Sequence, residues 1–184
     1  TFFKAHTLPM AIIDRIIKLF DANTGAVCEI NKLLYAVKDR ETVIFARRRQ
    51  ASDELVQISK EGEFDFFGNK FILKEVEKID VRLGEDPFVE YLDFDLVPAI
   101  MYVRPWQEGD SFRPLGMAHG SQKVSDLLTN EKLSIIEKND ILLLTSKTEV
   151  IWVCGMRISE SFKLRSGSTT RYLRVEYRPN ESQE

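Results

Sequence analysis

The chain has 184 residues, of which 43% are hydrophobic and 30% are charged, and its formal net charge is -3. These values are typical of globular domains with a buried core, and no apolar run approaches the roughly 20 residues that span a bilayer. No secretion leader is recognisable at the amino end, so we expect a cytoplasmic location and no membrane partner. Because the first residue is Thr1 and not Met, we also expect the chain to be part of a longer protein.

The first predicted element is an amphipathic helix over residues 10–20, preceded by Pro9. Its apolar residues recur at helical spacing, and the polar and glycine residues at 23–25 are a typical stop. Short β-branched and aromatic segments follow, and a charged turn over 38–41 separates two of them. This pattern predicts a small antiparallel β unit.

A tight hairpin is predicted next. The segments EFDFF and KFILKEV flank Gly68–Asn69, a two-residue loop in which glycine supplies a positive φ. The acidic run that ends at Pro87 then interrupts the pattern, and a proline in such a stretch is typical of a linker. We therefore predict two domains, a helix and small β subdomain over 1–86 and a C-terminal α+β domain over 87–184.

The C-terminal half reads as strands, a long connector, one or two short helices, and further strands, so the predicted fold class is α+β. The connector is the stretch WQEGDSFRPLGMAHGSQKVSD, residues 106–126. Ser121 is predicted to cap the helix that follows it, with Val124, Leu127 and Leu128 on one face. A second short helix or turn is predicted over 133–138.

The sequence contains few of the residues and motifs that metal binding, nucleotide binding or catalysis would require. Two cysteines, Cys28 and Cys154, and two histidines, His6 and His119, stand apart from one another, so no metal site is expected. Buried free thiols are the favoured interpretation of the cysteines over a single disulfide. The nucleotide-binding motifs GxxxxGK[ST] and GxGxxG do not occur, and we expect no catalytic residue.

Charge is distributed unevenly along the chain. Residues 50–95 contain 5 basic and 13 acidic residues, whereas 157–178 contain 6 basic and 2 acidic residues. A nucleic-acid partner is therefore expected at the C-terminal half. The candidate phosphate contacts in or beside its loops are Arg104, Arg113, Lys123, Lys132, Arg157 and Lys163. A second cluster, Arg47, Arg48 and Arg49, is equally well interpreted as a solubilising strand edge.

The connector itself allows two interpretations. A helix that starts at Gly120–Ser121 would present free N–H groups to an RNA phosphate, or it would be a capped helix after an ordinary surface loop. Trp106, Phe112, Leu115 and Met117 are expected mainly in the core. If they are exposed instead, the alternative function is a protein-interaction or dimerisation module with no direct RNA contact.

A longer pattern over about sixty residues carries a family resemblance. Its matching positions are Arg104, Gly109–Asp110, Phe112–Gly116, Gly120–Lys123, Ser125–Asp126, Trp152–Val153, Gly155, Arg157–Ile158 and Phe162–Lys163. This pattern resembles the C-terminal domain of bacterial tRNA(Ile)-lysidine synthetases. The chain departs from the family pattern at His119, at Gln122, where a basic residue is usual, and at Asn139, each of which removes or displaces a positive charge.

The resemblance implies an ATP-dependent ligase that joins lysine to the wobble cytidine of an isoleucine tRNA. In that family, catalysis belongs to an N-terminal ATP-pyrophosphatase domain with an SGGxDS loop, which this sequence lacks. The chain alone is thus expected to be inactive and free of cofactors, with ATP and Mg required only by the full-length enzyme.

The implied role of this region is to hold the acceptor stem of tRNA(Ile). The implied partners are that tRNA and the enzyme's own catalytic domain, with a homodimer as a further alternative. The residues expected to contact the tRNA are Arg104, Arg113, Ser121, Gln122, Lys123, Lys132, Arg157 and Lys163.

Overall fold

The computed structural model describes residues 8–32, 34–47 and 55–180. Contacts between residues divide the chain into two compact units. Of the described residues, the first unit contains those up to 47 together with 133–138, and the second contains 55–132 and 139–180. This grouping differs from the predicted boundary after residue 86, because strands before that position pair within the second unit.

The first unit is a helix on a small sheet, as the sequence predicts. Helix α1 spans Met10–Lys18, and a single 3₁₀ turn continues it. Strands β1 (Val27–Glu29), β2 (Leu34–Asp39) and β3 (Thr42–Arg47) form an antiparallel sheet in the order β1-β2-β3. The helix packs its buried apolar side chains against the sheet, and the shared core contains Ile16, Leu19, Cys28 and Ala36.

The second unit contains most of the strands. The early strands are β4 (Val56–Ser59), β5 (Gly62–Phe66), β6 (Asn69–Val76), β7 (Val89–Asp93) and β8 (Ile100–Pro105). The connector follows with β9 (Ser111–Phe112), β10 (Gln122–Lys123) and helix α2 (Val124–Asn130). The last strands are β11 (Leu142–Thr145), β12 (Val150–Val153), β13 (Arg157–Ile158) and β14 (Tyr172–Arg178). Helix α3 (Ile135–Asp140) precedes them in the sequence, but it lies mainly in the stretch 133–138 that belongs to the first unit.

Two antiparallel sheets dominate this unit. One has the order β13-β12-β11-β8-β4, and the other has the order β5-β6-β14-β7. Both contribute to one hydrophobic core, in which Phe71, Trp152 and Leu173 are fully buried. Each such side chain stabilises the fold by about 1.5–3 kcal/mol relative to an exposed one. The α+β fold class predicted from the sequence is confirmed.

The predicted hairpin is present, with its turn one residue earlier than expected. Phe67 and Gly68 occupy the turn with φ of 52° and 83°, and Asn69 already begins β6. Asn69 is buried, and its side-chain amide is hydrogen-bonded there, since it donates to the Phe66 carbonyl and accepts from the Tyr177 hydroxyl. The hairpin thus belongs to the sheet that β14 completes.

Both cysteines are buried free thiols, as predicted. Among the described residues, no group of three or more histidine, cysteine, aspartate or glutamate side chains could hold a metal ion. In the same part of the chain, no helix is both long and apolar enough to cross a bilayer.

Candidate nucleic-acid interface

The connector contains a two-stranded ribbon. Strand β9 pairs with β10, so that Ser111 lies opposite Lys123 and Phe112 opposite Gln122. Side chains alternate along an extended strand, and directly opposed residues share a face. Phe112 is buried, whereas Ser111 and Lys123 are exposed on the other side of the ribbon. Arg113, two residues after Ser111, returns to the exposed side.

A second run of backbone bonds fixes the connector beside β13. The Leu115 amide donates to the Ile158 carbonyl at 2.9 Å, and the Glu160 amide donates to the Arg113 carbonyl at 2.8 Å. Pro114 forms an isolated bridge with Ser159 between these two bonds. The Arg113 carbonyl is therefore bonded to the segment after β13, and its neighbour Phe112 is paired with β10.

Arg104 holds the start of the connector through a bidentate ion pair. Its guanidinium donates to both Asp110 carboxylate oxygens, at 2.7 and 2.8 Å, and Asp110 also accepts the Gln107 amide at 2.7 Å. Burial opposes ionisation of Asp110, but the bonds from Arg104 and Gln107 outweigh it, so the pKa of Asp110 lies below its ordinary value. Arg104 was predicted to contact tRNA, but in the structure its guanidinium is bound to Asp110 of the same chain.

Glu160 organises the middle of the connector. Its carboxylate accepts a hydrogen bond from Lys163 and another from the Gly116 amide at 2.8 Å. Gly116 has a φ of 89°, a conformation that side chains other than glycine rarely adopt, and this turns its amide toward Glu160. The Lys163 bond, the Gly116 bond and the nearby Arg113 charge all lower the pKa of Glu160. Lys163 is therefore also engaged in an ion pair.

Unlike Arg104 and Lys163, three further basic residues are not held in salt bridges of the described residues. They are Arg113, Lys123 and Arg157, and we call them the cationic face. Arg157 lies opposite Val153, in a row across the sheet that continues through Leu143 to Arg104. It therefore lies on the same side of the sheet as Arg104, which is paired with Asp110 of the connector. Lys123 and Arg157 are exposed and Arg113 is half-buried, and within the described residues no salt bridge engages any of the three.

The prediction that Ser121 caps a helix is wrong. Helix α2 begins at Val124 after Lys123, without a side-chain cap, because Gln122 and Lys123 are bonded in a strand instead. Both interpretations of 120–123 assumed a helix that starts at Gly120–Ser121, and no helix begins there. Ser121 is exposed and Gln122 is half-buried opposite Phe112. The predicted apolar face of α2 is confirmed, since Val124, Leu127 and Leu128 are buried.

Lys132 lies apart from the cationic face. It follows the C-terminal end of the seven-residue α2 with a φ of 59°, and its amide donates to the Thr129 carbonyl. A helix of this length separates its two ends by about 10 Å. In the other predicted cluster, Arg47 ends β3, while Arg48 and Arg49 lie outside the described residues.

The apolar residues of the connector mainly anchor it. Phe112 is 5% exposed and packs inward, while Trp106 and Met117 are half-buried. Leu115 is the exception at 43% exposed. The expectation that these side chains belong to the core thus holds fully for Phe112 and in part for Trp106 and Met117.

Sequence reasoning missed the two carboxylates that organise the connector, Asp110 and Glu160. Asp110 was visible only as part of a turn, and its six-residue separation from Arg104 carries no periodic signal. Glu160 precedes Lys163 by three residues, but its bond to Gly116 spans 44 residues of sequence. Tertiary packing, which a single sequence does not display, determines both roles.

Comparison with known proteins confirms the family resemblance. Residues 101–175 match the family described as TilS substrate C-terminal domain. The chain is 29% identical over 164 residues to a tRNA(Ile)-lysidine synthase of Parabacteroides distasonis, covering 87% of this chain and 34% of that protein. It is 27% identical over 194 residues to that of Clostridium perfringens, covering 97% and 40%. The chain thus spans well under half the length of these curated relatives.

A solved structure described as the crystal structure of TILS C-terminal domain has the same fold. The TM-score is 0.57 at 18% sequence identity, and the match covers 70% of this chain and 100% of that chain. At this identity the likeness establishes the fold alone. The predicted C-terminal α+β architecture is therefore found in a known member of the family.

Proposed function

We propose that this chain, similar to the C-terminal regions of tRNA(Ile)-lysidine synthases, is the tRNA-binding part of such an enzyme. Its role would be to hold the acceptor stem of tRNA(Ile) while another domain carries out the reaction. The observation that carries this proposal is the cationic face of Arg113, Lys123 and Arg157, whose charges are outside the salt bridges of the described residues.

The fixed positions of these cations on the protein backbone suit them to bind the phosphates of an RNA double helix. An RNA double helix is recognised mainly through phosphates and 2′-hydroxyls, so cations at fixed positions matter more than base-specific hydrogen bonds. Arg113 follows the paired strand β9 and its carbonyl accepts the Glu160 amide, and Arg157 lies on β13. Arginine offers a planar fork to phosphate, and Lys123 adds a mobile point charge. Ser111 and Ser121 add exposed hydroxyls on the same ribbon.

The alternative, a protein-interaction or dimerisation module, requires an exposed apolar connector. Phe112 and Pro114 are buried and the cationic side chains are turned outward, which favours RNA. Only Leu115 is substantially exposed among the four apolar residues considered for docking. One exposed leucine beside three cations supports a phosphate-binding surface better than an apolar interface.

The complete enzyme would be a cytoplasmic ligase that uses ATP and Mg to join lysine to the wobble cytidine. Its catalytic loop would lie in sequence that this chain does not contain. We therefore expect the chain alone to bind tRNA but to hydrolyse no ATP. Incubation with ATP and tRNA, followed by measurement of pyrophosphate release, should give the rate of the protein-free control, and turnover above that rate would contradict this assignment.

The binding proposal is tested by reversing two charges of the cationic face. Arg113→Glu with Lys123→Glu should weaken binding of a hairpin RNA that reproduces the acceptor stem by more than about tenfold, since two phosphate contacts become repulsive. The matched control is Lys70→Glu with Lys74→Glu, two exposed lysines on β6, which changes net charge equally. Equal affinities for the two variants, measured by fluorescence anisotropy, would contradict the proposal.

A further inference from the structure

A groove of about 470 Å³ opens on the outer face of the five-stranded sheet, beside the connector. Its floor contains Tyr102, Thr145 and Val150, which lie opposite one another on β8, β11 and β12 and therefore share a face. Met101 and Val103, the neighbours of Tyr102 on β8, point the other way and are fully buried in the core. The sheet thus fixes the floor rigidly.

Two preformed walls enclose this floor. One is the connector at Gly109, Asp110 and Ser111, which the Arg104–Asp110 ion pair holds in place. The other is the turn between β11 and β12, where the Ser146 hydroxyl accepts the amides of Thr148 at 3.2 Å and Glu149 at 2.9 Å. A site whose walls are already bonded loses little conformational entropy when a ligand binds.

The lining combines three kinds of chemistry. Tyr102 provides an aromatic ring, Ser111 and Thr148 provide hydroxyls, and Lys147 provides an exposed cation on the rim. Within the described residues, no salt bridge engages Lys147. A flat ring, hydrogen-bonding groups and a cation are what a nucleotide requires for its base, its polar edges and its phosphate.

The groove adjoins the cationic face directly. Ser111 lines the groove, and its partner across the ribbon is Lys123. The volume is that of a small-ligand pocket, so a double helix could lie across its mouth but could not enter it. An RNA held by Lys123 would therefore present to the groove only a nucleotide that is not base-paired.

We propose that this groove binds one unpaired nucleotide of the RNA whose duplex the cationic face holds. The base stacks on Tyr102, and its phosphate lies near Lys147. This inference rests on the proposed function, to which it adds a second, single-stranded contact. It assigns a role to Tyr102, Ser111 and Lys147, none of which belongs to the cationic face.

The test compares hairpin RNAs that share one stem. One is blunt, and the others carry a four-nucleotide single-stranded extension at the 3′ end or at the 5′ end. The whole chain should bind at least one extended RNA about fivefold or more tightly than the blunt one, the lower end of the contribution from one base–aromatic stack. Equal affinity for all three RNAs would overturn the inference while leaving the proposed function intact. Failure to bind any of them would contradict the proposed function.

Two variants locate the contact. Tyr102→Leu should abolish the preference for the extended RNA and leave affinity for the blunt RNA unchanged, whereas Tyr102→Phe should keep the preference. Lys147→Gln, on an exposed turn, should reduce the preference by about twofold to threefold, and it provides a second test if Tyr102→Leu does not fold. A preference that survives both Tyr102→Leu and Lys147→Gln would contradict the inference. If Tyr102→Leu does not fold, retention of the full preference by Lys147→Gln alone would do so.

Discussion

The second unit holds its basic side chains in two different ways. Arg104 and Lys163 are paired with Asp110 and Glu160, and these two carboxylates hold the start and the middle of the connector. Arg113, Lys123 and Arg157 are outside the salt bridges of the described residues. The first two lie on the connector and the third lies on β13. All five looked equivalent in the sequence. The comparison indicates that part of the basic charge builds the surface and another part is left for a partner.

The largest expected effect comes from removing the partner of a paired cation. Asp110→Ala leaves the guanidinium of Arg104, whose side chain is only 20% exposed, without its carboxylate. We expect a loss of about 2–3 kcal/mol in the free energy of unfolding, below the figure for a fully buried pair because some solvent reaches this one. Urea denaturation followed by circular dichroism measures it.

Glu108→Ala is the matched control for that change. Glu108 lies two residues earlier in the connector and is exposed. Its removal should change the free energy of unfolding by no more than about 0.5 kcal/mol. If the two variants were equally stable, Asp110 would not be holding the connector.

Glu90 extends the comparison, because it is a partly buried carboxylate that no salt bridge engages among the described residues. Burial raises the pKa of Glu90 to about 7, and the Tyr91 amide only partly offsets this effect. Because the folded-state pKa is above the unfolded one, Glu90 contributes stability that is complete below about pH 4.5 and is lost as the pH rises through 7. Glu90→Gln should therefore raise the free energy of unfolding at pH 8 by about 1–2 kcal/mol, after allowance for solvent screening.

The same substitution should have little effect at pH 5, where Glu90 is protonated in the folded protein. Unfolding curves of both proteins at pH 5 and pH 8 measure this difference. A stabilisation that is equal at the two pH values would show that titration of Glu90 is not its cause.

The smallest expected effect is an increase in RNA affinity, in contrast to the decrease expected when cations of the cationic face are replaced. Glu160→Gln removes the negative charge between Arg113 and Lys163, so both cations become more available to phosphate. We expect hairpin RNA to bind about twofold to fivefold more tightly at low salt. The control is Glu63→Gln, an exposed residue on β5, with the same change in charge. Weaker binding by a Glu160→Gln protein of unchanged thermal midpoint would contradict the division between paired and unpaired cations.

The sequence predicted the elements whose signals are local. Helix α1 and the apolar face of α2 follow from spacing of three and four residues, and the hairpin follows from a glycine between two alternating segments. Ser121 was misplaced because the pairing of Gln122 with Phe112 across ten residues overrides a capping signal. The domain boundary differs for the same reason, since Phe71 pairs with Tyr177 more than a hundred residues away.

The sequence indicated which basic residues could belong to the candidate site, but it did not indicate which of them form ion pairs. The residues Arg113, Lys123 and Arg157 could be selected because basic side chains in loops are suited to phosphate. Which cations would be neutralised depended on Asp110 and Glu160, whose partners are set by tertiary packing. The groove over Tyr102 was not predictable either, because its floor is assembled from three strands.

The salt dependence of RNA binding tests the central claim most directly. Each phosphate contact contributes roughly 0.7–0.9 to the slope of log Kd against log salt concentration. Replacing Arg113, Lys123 and Arg157 together by alanine should therefore lower the slope for hairpin RNA by about 2–3, whereas Lys70→Ala should leave it unchanged. A triple variant with the slope of the unaltered chain would show that the cationic face does not contact the RNA.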